Sequence, residues 1–184
     1  MPNVRKARDL SLIDAIDRFD RESFEGVVWR VVREGRDPLQ GHPSAGRWDP
    51  GAYDLDALYT ATEADGALAE VSFHLSRQPV FPSRMRLVLH KIAVRSDRAL
   101  RLASANDLTG LGVDPATYQD VLYSRTQEIG DVADFLGFDG IISPNARWKC
   151  LNLTLFTRRI RPENLSVLAS TSVDIREWAR RTRT

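Results

Sequence analysis

Leu12, Ile13, Ile16 and Phe19 recur at helical spacing, which predicts a short amphipathic helix over residues 11–20 packed by its apolar side on the body of the protein. Past Gly26 the period changes to two. In VVWRVV, Val27, Trp29 and Val31 share one face and Val28, Arg30 and Val32 the other, so this is a strand in which Arg30 interrupts an apolar face. ALYTA, at residues 57–61, is a second short strand. Thr62 and Asp65 have the spacing of a capping box and open a helix through about residue 75, with Ala64, Ala67, Leu68 and Val71 facing inward and Glu70 at the edge of that stripe.

Beyond Pro79 and Pro82, residues 85–94 and 98–103 read as two strands separated by a polar turn, followed by a loop with Gly110, Gly112 and Pro115. Ser124 with Gln127 three residues on marks the next helix. Its apolar positions are Ile129, Val132, Ala133 and Leu136, and Gly137 stands just past its end. Residues 140–143 and 151–156 supply strands; in the second, Leu151, Leu153 and Leu155 face one way and Asn152 and Thr154 the other. Residues 165–169 form a last strand, and a short basic helix spans 175–181. The segment 33–56, rich in Gly, Pro, Asp and Ser, is too long to be an idle connection. Strands and helices mix without regular βαβ alternation, which points to an α+β fold and away from a doubly wound sheet.

At 184 residues with 42% apolar content the chain fits one domain, residues 1–184, with a helical extension over 1–24 and a core over about 25–170. A net charge of +1 provides no basic field for nucleic acid, so direct nucleic-acid binding is not expected and any anion must be held locally. Cys150 is the only cysteine, which excludes an intramolecular disulfide and a cysteine zinc site. His42, His74 and His90 lack ligand-like spacing, so no metal is expected. No run resembles a cleaved leader or a bilayer span, and the expected location is cytoplasmic, away from membranes.

Arg30 on a strand face needs either a carboxylate partner or a cleft. Arg47 in SAGRWDPG, with Gly46 permitting close backbone approach and Trp48 offering a flat surface, suits a phosphate or an ordinary surface turn. Glu70 reads as an exposed carboxylate or as a functional one. Ser124 has a sufficient role as a helix cap, yet a helix start also suits an anion, and the two are compatible. Tyr59 is a core residue or a platform for a ligand, Asn152 a half-exposed strand residue or a ligand contact, and Cys150 structural.

Read together, WRV at 29–31, GRWDPG at 46–51, LYTA at 58–61, ALAEV at 67–71 and YSRTQEIGDVADFLGFDGIISP at 123–144 resemble the RES-domain family in content, order and separation. The resemblance covers roughly residues 25–170. It implies a fold similar to ADP-ribosyltransferase toxins, with a central split, mostly antiparallel sheet flanked by helices and an NAD-sized cleft. By position the family's arginines fall on Arg30 and Arg47, its tyrosine on Tyr59, its glutamate on Glu70 and its serine on Ser124. One departure is Asp49, where many relatives carry asparagine.

The resemblance further implies a growth-inhibiting toxin neutralised by a cognate antitoxin with an Xre-like helix-turn-helix part. NAD is the co-substrate and no metal is required. Glu70, Arg30 and Ser124 would be catalytic, and Arg30, Arg47, Tyr59, Ser124 and Asn152 would bind NAD. Cleaving the nicotinamide–ribose bond builds positive charge on the sugar, which a fixed carboxylate stabilises. The wording of the motifs leans toward transfer of ADP-ribose to a protein, such as a nucleotide-biosynthesis enzyme. Hydrolysis or phosphorolysis of NAD is the alternative, and a non-catalytic nucleotide-binding or antitoxin-partner module the second. The 33–56 loop is the expected antitoxin contact.

Overall fold

In the computed structural model, which describes residues 7–42, 44–51, 55–80, 82 and 84–182, the chain runs α1 (Leu10–Asp17), β1 (Arg21–Arg33), β2 (Ala57–Ala61), α2 (Ala64–Ser76), β3 (Leu87–Arg101), α3 (Ala105–Gly110), α4 (Ser124–Phe135), β4 (Gly140–Pro144), β5 (Leu151–Phe156), β6 (Leu165–Val173) and α5 (Ile175–Arg181). The α+β class holds. The helices and the split sheet follow the expected architecture.

The sheet is two half-sheets. In one, β3 pairs antiparallel with β1 along its whole length and with β6 along its first half. In the other, β5 lies antiparallel between β2 and β4. The halves join through a three-residue parallel contact of β3 with β4 at Ala99–Arg101 and through the single pairing Trp29 with Ala61 between β1 and β2. Between β1 and β2 the sheet therefore opens.

Residues 85–103, expected as two strands, form one. The polar stretch that suggested a turn stays paired to β1, with Ser96 opposite Phe24 and Arg95 opposite Glu25. Its extra demands are met from outside the ladder: the Asp139 carboxylate accepts from the Asp97 and Arg98 N–H groups at 3.0 Å each. β1 likewise starts at Arg21, inside the segment expected as a helical extension, and α1 ends at Asp17.

Both expected capping boxes are absent. Thr62 instead donates to the Leu151 carbonyl at 3.0 Å, and Asp65 accepts from the Trp178 indole at 2.8 Å, tying α2 to α5. Ser124 is the first helical residue rather than the cap, which is Tyr123 and lacks a side-chain cap bond. Tertiary partners have taken the side chains that the local pattern assigned to the helix ends. A true capping box, Ser104 with Asp107, opens α3 within the segment expected as a loop. Gly137 follows the end of α4 with φ 78°, the left-handed conformation that glycine adopts without strain.

Leu12 and Ile16 of α1 pack with Ile129, Val132 and Ala133 of α4 and with Trp48. α4 is further held by charge: Arg8 grips Asp131 through two hydrogen bonds of 2.6 and 3.1 Å, and Arg158 and Arg159 both pair with the buried Asp134. On the other side, Leu68 and Leu75 of α2 pack with Leu87, Ile175 and Trp178. No helix among the described residues is long and apolar enough to cross a membrane.

Candidate functional site

A cavity of about 470 Å³ occupies the opening between the half-sheets, with α2 along one wall. Arg30, Arg47, Tyr59, Glu70 and Asn152 all line it. The fold thus gathers residues from β1, the 33–56 loop, β2, α2 and β5. Ser124 is exposed and not among its walls; its neighbour Tyr123 is.

Arg30 comes from β1, where its strand neighbours Val28 and Val32 are buried. Its Nη1 is buried with no hydrogen-bond partner among the described residues. Burial lowers its pKa to about 10, with the charges of Asp56 and Asp37 opposing the shift. The cleft reading of this arginine therefore prevails over the salt-bridge reading. A desolvated cation facing a cavity favours an anion there.

Arg47 is held by rings rather than by acids. Its guanidinium carbon sits 4.4 Å from the Tyr118 ring centroid and 4.7 Å from that of Tyr123, and Nη2 donates to the Asp120 carbonyl at 3.5 Å. The flat surface expected from Trp48 is not available, because Trp48 is only 1% exposed and belongs to the core. Tyr118 and Tyr123 do that job from a segment more than seventy residues away. Of these, Tyr123 was legible, since it directly precedes Ser124 in the YSRTQ motif.

The loop that carries Arg47 is clamped. Tyr59 accepts from the Trp48 N–H at 3.3 Å, and a Cβ at Gly46 would overlap the Tyr59 hydroxyl, so the close approach expected of Gly46 is made to this ring. Gln127 of α4 donates to the Gly46 and Asp49 carbonyls at 2.9 and 3.3 Å. A Cβ at Gly130 would overlap the Trp48 carbonyl. Burial raises the Tyr59 pKa, so its hydroxyl stays protonated. Asp49 lies outside the cavity lining: it is 2% exposed and accepts from the Gly51 N–H at 2.7 Å, a bond that an asparagine oxygen makes equally well.

Glu70 is half-buried on α2, and its Oε1 accepts from the Ala146 N–H at 3.3 Å. One turn on, His74 lines the same cavity, and burial lowers its pKa against the opposing charge of Glu70. His42 joins them from the loop, although these two histidines are far apart in sequence. Asn152 accepts at Oδ1 from the Asn145 amide at 2.8 Å. Beside it on β5, Thr154 brings a buried Oγ1 with no hydrogen-bond partner among the described residues to the cavity. Burial pushes the Cys150 thiol up, in keeping with a structural residue.

One space thus combines a fixed carboxylate, two arginines without carboxylate partners among the described residues, and one unsatisfied neutral hydroxyl, that of Thr154. Such a set suits a ligand with anionic and hydroxylated parts and can stabilise positive charge next to the carboxylate.

A family model described as RES domain matches residues 27–176. Among curated proteins, the NAD(+) phosphorylase MbcT of Mycobacterium tuberculosis (strain ATCC 25618 / H37Rv) and that of Mycobacterium bovis (strain ATCC BAA-935 / AF2122/97) are similar. Each is 28% identical over 172 residues, covering 89% of this chain and 91% of the relative. Among solved structures, a chain of the M. tuberculosis MbcT-MbcA toxin-antitoxin complex superimposes with a TM-score of 0.84 at 22% identity, covering 97% of this chain and all of that one.

Proposed function

This chain belongs to the RES domain family, and from that premise we propose that it is an NAD-cleaving toxin of a toxin–antitoxin pair, with inorganic phosphate as the acceptor of the ADP-ribosyl group. The observation that carries the reading is the cavity in which Glu70 faces the same space as Arg30 and Arg47. The motif wording alone leaned to a protein acceptor. The similarity to two NAD(+) phosphorylases moves the reading to phosphate.

Arg30 and Arg47 bind the pyrophosphate, Arg30 through its desolvated Nη1 and Arg47 from its seat between two tyrosine rings. With its pyrophosphate held by both arginines, the dinucleotide presents its glycosidic bond to Glu70. As nicotinamide leaves neutral, the Glu70 carboxylate stabilises the positive charge growing on the ribose. Tyr59 walls the nicotinamide, Asn152 takes a hydroxyl of the sugar, and Ser124, next to the cavity-lining Tyr123, contacts the ligand from the first turn of α4. The chemistry as drawn uses no metal.

A cognate antitoxin silences the enzyme by covering the cavity or the 33–56 loop that walls it. Similarity to a chain crystallised in a toxin-antitoxin complex supports such a partner, and family resemblance implies its Xre-like part. The deciding experiment incubates purified protein with adenine-labelled NAD, with and without phosphate, and then with cell extract. Phosphate-dependent release of nicotinamide with a phosphorylated ADP-ribose product is expected. Label on a single protein band would move the assignment to transfer, and unconsumed NAD in every condition would leave a non-catalytic module.

A further inference from the structure

A second concavity of about 620 Å³ is walled by Gln119 and by the 145–149 turn between β4 and β5. It shares a partition with the first. Glu70 lines one cavity, Ala146 lines the other, and the hydrogen bond from the Ala146 N–H to Glu70 Oε1 joins them.

Arg147 stands in this second space. Its guanidinium carbon lies 3.4 Å from the Phe73 ring centroid, and Nη2 donates to the Gln119 carbonyl at 2.5 Å. The next carbonyl, that of Asp120, takes Arg47. Two consecutive peptide groups therefore hold two arginines, one lining each concavity. Among the described residues, Arg147 Nε is buried with no hydrogen-bond partner and no carboxylate pairs with this side chain. Burial lowers its pKa, with Glu70 the largest opposing influence and the charge of Arg47 adding to the shift. The turn beneath it is rigid: Asn145 Oδ1 accepts from the N–H groups of Arg147 and Trp148 at 2.7 and 2.9 Å. Exposed Lys149 adds positive charge at the rim.

A guanidinium fixed in plane by a ring, without a carboxylate paired to it among the described residues and left with a desolvated donor, matches a tetrahedral oxyanion better than it matches solvent. We propose that the second concavity is an oxyanion site in which Arg147 binds inorganic phosphate and presents it to the sugar carbon stabilised by Glu70. This proposal rests on the phosphorolysis reading above. In the step, a phosphate oxygen forms its bond to the ribose carbon as the carbon–nitrogen bond breaks. The bonding pair leaves with nicotinamide, which departs neutral, and the proton remaining on phosphate is lost to solvent. A separate concavity lets phosphate be held beside the Glu70 partition while the dinucleotide fills the first cavity.

The test uses Arg147→Gln and Arg147→Lys, each checked for folding by circular dichroism and melting, with nicotinamide release measured at varied phosphate and varied NAD. In Arg147→Gln the KM for phosphate is expected to rise about 10–100-fold, with the KM for NAD unchanged. Arg147→Lys, which keeps the charge and loses the fork, is expected to fall between, and it serves alone if the glutamine variant does not fold. An unchanged phosphate KM overturns the site and leaves phosphorolysis standing. Equal loss of phosphate-dependent and phosphate-independent cleavage in a folded variant also overturns it. If wild-type cleavage ignores phosphate, phosphorolysis falls, and phosphorus NMR of inorganic phosphate then reads the site directly. Line broadening by wild type that disappears in Arg147→Gln supports an oxyanion site; equal broadening overturns it.

Discussion

The Tyr59 hydroxyl accepts the Trp48 N–H at 3.3 Å, and it reaches that group only because Gly46 has no side chain in its path. The bond fixes the turn that carries Arg47. Tyr59→Phe leaves the Trp48 N–H without its partner in a half-buried place, a loss of about 1–3 kcal/mol. Gly46→Ala forces the ring aside and is expected to cost at least as much. Melting curves check both. The NAD KM is expected to rise in each, because Arg47 loses its seat; a melting temperature and KM equal to wild type would remove the clamp from the mechanism.

Glu70→Gln separates charge from shape. A glutamine oxygen still accepts from the Ala146 N–H, so the fold is expected to be unchanged by melting. Nicotinamide release is expected to fall about 10²–10³-fold, the scale seen when a transition-state electrostatic partner is removed. A variant that cleaves NAD at the wild-type rate would take the carboxylate out of the reaction.

The strands and the site composition were legible because their signals are local or survive as motifs. Period two in VVWRVV and in LNLTLF placed Arg30 and Asn152 on strands. Glu70 stood at the edge of a helical stripe, and α5 fell at its expected position. What failed depended on distant partners. Ser124 and Thr62 carry cap spacing, but Gln127 is drawn to the 46–49 turn and Thr62 to Leu151. Asp139 lets β3 run through a polar stretch that reads as a turn. The aromatic seat of Arg47 was assigned to adjacent Trp48, whereas Tyr118 and Tyr123 arrive through tertiary structure. Arg147 carries no local mark of its setting at all: Phe73 and Gln119 come from other parts of the chain.

Arg30→Met is expected to stabilise the protein while disabling it. The native side chain holds a positive charge in a desolvated place with no hydrogen bond for Nη1 among the described residues. An apolar chain of similar length removes that cost, and replacements of buried charge of this kind are worth about 1–4 kcal/mol. The melting temperature should rise, and binding of NAD, followed by isothermal titration, should weaken. A lower melting temperature would mean that Arg30 supports the fold and that its charge is not held for a ligand.

Acidification should weaken the fold before the carboxylates titrate, through His74 and His90. Burial lowers both pKa values; the Glu70 charge opposes the shift at His74, and Arg30 adds to it at His90. As pH falls through the ordinary histidine value of 6.5, the unfolded chain takes up these protons and the folded protein resists. The unfolded state then binds more protons, so stability declines with falling pH until the folded-state values are reached. Denaturant melts between about pH 7 and 5 lie in this window, above the ordinary carboxylate range. Glu70→Gln removes the charge that favours protonated His74, so the His74 pKa, followed by NMR, should fall further and the decline should steepen. A His74 pKa unchanged in this variant would mean that the carboxylate does not reach the imidazole across the helical turn.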